Sequence, residues 1–195
     1  MLAMNREPLV FAFHADTLYT FEPAVRGSAS RFGGPPPAQI YGQPFGPRPL
    51  HLIASLGARH IPALGECYFG ALPLIYGMYY DGCMLSYHVE ISHKVKLLHI
   101  QPATSSDDWP YENFRPLVPY IPLRLDDTPR LVSYGTFADR FPNMPEKQPA
   151  ELVVAVPPPA TIGLSFWDSG DGDGVTIVFE CDLKKKEVKA YNVTS

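Results

Sequence analysis

Apolar and polar residues alternate with a period of two along much of the chain, as expected where a pleated strand buries one face and wets the other. Val175, Ile177, Phe179, Cys181 and Leu183 form one such face. Leu85, Tyr87, Val89 and Ile91 form another, interleaved with Ser86, His88, Glu90 and Ser92. Residues 9–13 and 18–21 are short β-prone runs separated by His14-Ala15-Asp16, which predicts a hairpin or a bent strand. Residues 74–80 meet residues 83–89 across Asp81-Gly82, a pair that tolerates positive φ at both turn positions and so predicts a two-residue type I′ hairpin. Further strands are predicted over 95–100, 131–134, 151–156 and 162–167, and over 187–193 as an edge strand guarded by the adjacent Lys184-Lys185-Lys186.

Leu50–Leu56 is apolar and bounded by proline and glycine, which fits a buried strand or the opening of a short helix. Residues 26–49 and 101–122, rich in proline, glycine and serine, read as loops, and 136–143 as room for one helical turn. The chain has 22 prolines spread over 195 residues, which leaves few windows long enough for a helix. A weak duplication links 50–91 with 152–183: an apolar strand, an aromatic segment, an Asp-Gly turn and an alternating strand occur in each. The expected fold is therefore α+β and predominantly β. It comprises two similar antiparallel β units packed on one core, few short helices and long proline-rich loops. It forms one domain over 1–195, with internal halves near 1–100 and 101–195.

Several segments resemble, in order, those of the YwqG-like family of bacterial proteins. They are Phe32-Gly33-Gly34-Pro35, Pro49–Leu56, Leu72–Asp81, and Glu151–Val156 followed by Gly163-Leu164-Ser165-Phe166-Trp167-Asp168-Ser169-Gly170. Ser55 stands where the family usually has glutamine, and Val154–Pro159 lacks polar residues that the family often keeps, so the resemblance carries no ligand site to this chain. It implies a β-rich α+β fold of two similar halves and no established activity. Through relatives that sit beside secreted antibacterial toxins, it implies an immunity role.

Charge and cysteine content narrow the functional classes. A net charge of −4 argues against a nucleic-acid groove, which needs a clustered basic face. Three scattered cysteines, Cys67, Cys83 and Cys181, make neither a disulfide framework nor a cysteine-rich zinc module and fit a reducing compartment. The first residues lack a basic segment followed by an apolar stretch, and no run approaches the roughly 20 apolar residues of a membrane helix. A cytoplasmic protein that makes no membrane contact is expected.

Candidate chemistry is sparse. Ser169, Asp171, Asp173, Gly174 and Glu180 match the spacing of a calcium-binding EF-hand loop, but position 1 is serine and both flanks read as strands. Cys83, His88, His93 and His99 lack the close pairing that starts a zinc site. Asp107-Asp108 and Asp126-Asp127 are adjacent acids in loops, and no G-x-S-x-G elbow or phosphate-binding glycine loop is present. No catalytic residue, metal or cofactor is expected. Aromatic residues make up 12% of the chain and gather near turns and proline-rich loops, and such residues dominate protein-interface energetics. Asp107, Asp108, Trp109, Tyr111 and Glu112 are the candidate partner-binding residues. The expected function is a non-enzymatic protein-binding module, such as an immunity protein that covers a basic toxin. The alternative is a small-ligand binder or hydrolase with a pocket between the two halves.

Overall fold

Strands form wherever the alternating runs find apolar cover. The computed structural model describes residues 7–26, 28–43, 50–67, 70–79, 83–100, 115–126, 128–164, 166 and 175–194. Strand β1 (Val10–His14) reverses into β2 (Thr17–Pro23) through Ala15 and Asp16, whose φ values of 47° and 57° are those of a type I′ turn. Strands β3 (Ser30–Phe32) and β4 (Gln39–Gly42) follow, then β5 (His51–Gly57), buried along its whole length. A short helix α1 (Pro62–Cys67) opens on proline, which lacks the N–H that the first turn leaves unused. Next come β6 (Ala71–Tyr76), β7 (Leu85–Ile91) and β8 (Lys94–Ile100). Strands β9 (Ile121–Leu125) and β10 (Arg130–Leu131) precede helix α2 (Tyr134–Ala138), capped by the Ser133 hydroxyl, which accepts the Thr136 N–H at 3.2 Å. Strands β11 (Leu152–Val156), β12 (Val175–Asp182) and β13 (Glu187–Thr194) complete the sheet.

All described strands belong to one open sheet in the order β4-β8-β7-β13-β12-β11-β1-β2-β9-β3-β5-β6, with β10 beside β2. The sheet curls until its last strand, β6, packs against β7 and β13. The concave side encloses the main core, to which β11 contributes Leu152, Val154 and Val156. The other side of the same strand, Val153 and Ala155, lies under α2 with Phe13, Tyr134, Phe137 and Phe141. Phe13 stacks on Phe137 at 5.4 Å and meets Tyr134 edge-on at 5.5 Å. Among the described residues no helix is long and apolar enough to cross a membrane.

The predominantly β character is as the alternation predicts, whereas several pairings differ. The 74–80/83–89 hairpin does not form: β6 pairs with β5, and both edges of β7 are taken by β8 and β13. Likewise β13 is interior, with β12 on one side and β7 on the other, so its lysines guard no edge. Part of the predicted 26–49 loop is strand, because β3 finds partners in β5 and β9. β9 lies within and just beyond the second predicted loop. Pro122, a residue that reads as a strand breaker, gives its carbonyl to the Ala24 N–H at 2.8 Å. Of the strand predicted at 131–134 only Leu131, the end of β10, forms, and the chain enters α2 at Tyr134. At the start of the strand predicted at 162–167, a 3₁₀ turn (Ala160–Ile162) leads to Gly163 with φ 66°, while Ser165 and Trp167 lie outside the described residues.

One side chain closes the curl. Strand β6 has β5 on one side only, and its other edge would leave backbone groups buried and unmet. The Tyr87 hydroxyl fills that gap: it accepts the Ile75 N–H at 3.1 Å and donates to the Pro73 carbonyl at 2.9 Å. Nearby, the Tyr76 hydroxyl donates to Asn192 Oδ1 of β13 at 3.0 Å. Tyr87→Phe strands two buried backbone groups and is expected to lower the unfolding free energy by about 2–4 kcal/mol. The measurement is the urea midpoint, with hydrogen exchange at the Ile75 amide accelerating more than at Val154. An unchanged midpoint would contradict the stitch.

Candidate protein-interaction surface

The segment from Arg115 to Tyr120 is held as a strap across the sheet. Pro116 and Pro119 lock φ and carry no N–H, so this stretch cannot coil into a helix or join a ladder as a donor. The strap is fixed at three points. His51 on β5 donates its Nε2–H to the Arg115 carbonyl at 3.0 Å. The Gly34 N–H binds the Val118 carbonyl at 2.8 Å, and the Val118 side chain is sunk in the core at 1% exposure.

Gly33 and Gly34 make this close approach feasible. Both adopt left-handed backbone, φ 60° and 87°, and a side-chain carbon at Gly33 would run into the Pro119 carbonyl oxygen. Gly33 in turn donates to the Ile53 carbonyl at 2.9 Å, tying the turn to β5. With Val118 pointing inward, Leu117 (51% exposed) and Tyr120 (52%) point outward. Arg31 lies over the Tyr120 ring at 5.7 Å and donates to the Pro35 carbonyl at 3.3 Å. An aliphatic, an aromatic and a guanidinium group are thereby presented on fixed backbone.

The five residues singled out from the sequence, Asp107, Asp108, Trp109, Tyr111 and Glu112, lie outside the described residues, in the chain between Ile100 and Arg115. The strap is the direct continuation of that segment. Its contribution was hidden in the sequence because Pro116 and Pro119 read only as loop; the neighbouring signal was Gly33-Gly34, whose positive φ values accommodate the strap.

Other candidate groups are engaged structurally. Ser30, wholly buried, accepts the Gly57 N–H at 2.9 Å and directs its hydroxyl to His60 Nδ1 at 2.7 Å. Burial holds His60 below the ordinary histidine range, in keeping with a neutral acceptor ring. This Ser–His pair pins β3 to the end of β5. Ser169, Asp171, Asp173 and Gly174 lie outside the described residues, and Glu180 stands on β12, a strand, opposite Lys189 of β13 at 3.5 Å. Burial, and then the Glu180 charge, raise the Tyr134 phenol; burial and the nearby Glu180 carboxylate raise that of Tyr191. Burial pushes the Cys83 thiol up to about 12 against a hydrogen bond from Gly77, and raises Cys181 too, so both stay protonated. Asp126 accepts the Thr20 hydroxyl at 3.3 Å and faces Arg130 at 3.9 Å. Among the described residues no three His, Cys, Asp or Glu side chains converge as a metal site would need.

Comparison of the chain with protein-family models, curated proteins and solved structures returned no match.

The anchor of the strap gives a pH test. Burial drives His51 down to about 4, with the Arg115 hydrogen bond opposing, while an unfolded histidine titrates near 6.5. Between these values the unfolded chain binds the extra proton, so stability falls as pH is lowered from about 6.5 to about 4 and levels off below. At about 1.4 kcal/mol per pKa unit the loss from this group is about 3 kcal/mol. Urea unfolding across that range is expected to show a shallower loss in His51→Gln, which keeps an N–H for Arg115. Equal slopes in both proteins would remove His51 from this role.

Proposed function

We propose that this protein is a non-enzymatic binding module whose partner is another protein, and that its contact surface joins the acidic aromatic residues Asp107–Glu112 to the strap that follows them in sequence. The observation that carries this reading is the outward display of Leu117, Tyr120 and Arg31 on backbone pinned by His51, Gly34 and Val118. Interface hot spots are enriched in Trp, Tyr and Arg, and groups already fixed before association lose less entropy on binding. The two acids and Glu112 next to Trp109 favour a basic partner, whose encounter would be steered by charge and slowed by salt.

The YwqG-like resemblance, with its toxin-associated relatives, adds the immunity role to this proposal: the module covers a toxin's working surface and blocks it sterically. On the same reading the β units at 50–91 and 152–183 are related copies, and the protein acts in the cytoplasm of a bacterial cell. Neither a cofactor nor a metal has a part in such a mechanism.

The test asks first whether a toxin gene adjoins the coding gene, whose absence would count against the immunity role, and then titrates that toxin by calorimetry. Trp109→Ala, Asp108→Lys and Tyr120→Ala are each expected to weaken binding roughly tenfold or more, while Lys185→Ala, in the β12–β13 turn, leaves it unchanged. Undiminished affinity in all three variants would exclude this surface.

A further inference from the structure

A cleft of about 450 Å³ opens on the α2 side of the sheet, where β1 begins, β11 ends and β12 begins. That volume is within the roughly 300–1,000 Å³ of small-molecule sites. We propose that this cleft binds an organic carboxylate with an aromatic or branched apolar body.

The apolar part of the site follows from the local sequence. Phe11, on the outer face of β1, meets Phe141 edge-on at 5.3 Å and 68°. The β11 strand stops at Pro157, and Pro157-Pro158-Pro159 stands as one wall. These rings offer flat hydrocarbon and no N–H, so this wall presents carbonyl acceptors and apolar surface only. A flat or branched hydrocarbon fits between the proline and phenylalanine surfaces, which have no donor to leave unsatisfied.

The polar part selects the charge. Arg140, just after α2, lines the cleft, and its guanidinium forms no ion pair with a described residue. Arginine presents a planar fork that matches a carboxylate bidentately. Thr176, 5% exposed on β12, adds a hydroxyl within the cleft. Glu7 stands in the same lining, so the cleft carries one charge of each sign; a multiply charged phosphate meets the stronger repulsion there, and a single carboxylate held by the Arg140 fork the weaker. The site shares no residue with the strap.

The experiment titrates the intact protein with 3-phenylpropionate, followed by calorimetry and by amide shifts. Saturable binding in roughly the millimolar range or tighter is expected, with shifts centred on Phe141, Thr161 and Thr176. The neutral analogue 3-phenylpropan-1-ol is expected to bind about tenfold more weakly. Arg140→Gln should bring the acid down to the level of the alcohol, and Arg140→Lys should fall between. Arg140 is exposed, so the melting temperature of both variants is expected to match the parent. Equal binding of acid and alcohol, undiminished binding to Arg140→Gln, or shifts centred elsewhere would overturn the proposal.

Discussion

The fold depends on keeping buried backbone polar groups hydrogen-bonded along a sheet that ends inside the molecule. Curling a long sheet around one core brings its last strand, β6, beneath β7 and β13, where water cannot solvate an unpaired edge. A regular ladder would require β7 to leave β8 or β13, losing one set of bonds to make another. The Tyr87 hydroxyl avoids that exchange by acting as donor and acceptor at once. A single phenol thus lets the sheet wrap its core without forming a continuous ladder. Phenylalanine would fill the same volume and fail at this task.

Burial on both faces of the central strands sets the chemistry of the protein. β11 is covered by the main core on one side and by α2 on the other, and burial holds a thiol and an imidazole of this protein in their neutral forms. Cys181 on β12 stays a thiol, and His51, sealed beneath the strap, stays an imidazole. These groups serve packing and anchoring. Solvent reaches chemistry-bearing side chains at the periphery: at Tyr120 on the strap with Arg31 of β3 over its ring, and at Arg140 in the cleft.

Period-two alternation made β7 and β12 legible, and an unbroken apolar run bounded by proline made β11 so. Pairing was far less legible. Asp81-Gly82 argued for a local hairpin, yet β6 was better matched to β5, whose seven buried residues needed cover on their remaining edge. Prolines misled in the opposite sense: Pro73 and Pro122 read as breakers, but each sits in a strand where its carbonyl is used. The strap and the cleft were legible only as composition, a Gly-Gly pair and a Pro-Pro-Pro run. What either run does depends on contacts with distant segments, Val118 in one case and Phe11 with Arg140 in the other.

The place of the β12–β13 hairpin has a consequence for how the protein is made. Residues 175–194 fill the middle of the sheet, between β7 from the first hundred residues and β11. A ribosome releases them after every other described strand, so the nascent chain must hold two unpaired strand margins apart until residues 175–194 emerge. Sheets completed by such distant partners assemble slowly. Premature pairing across those exposed margins is the hazard that this strand order builds into the folding of the chain.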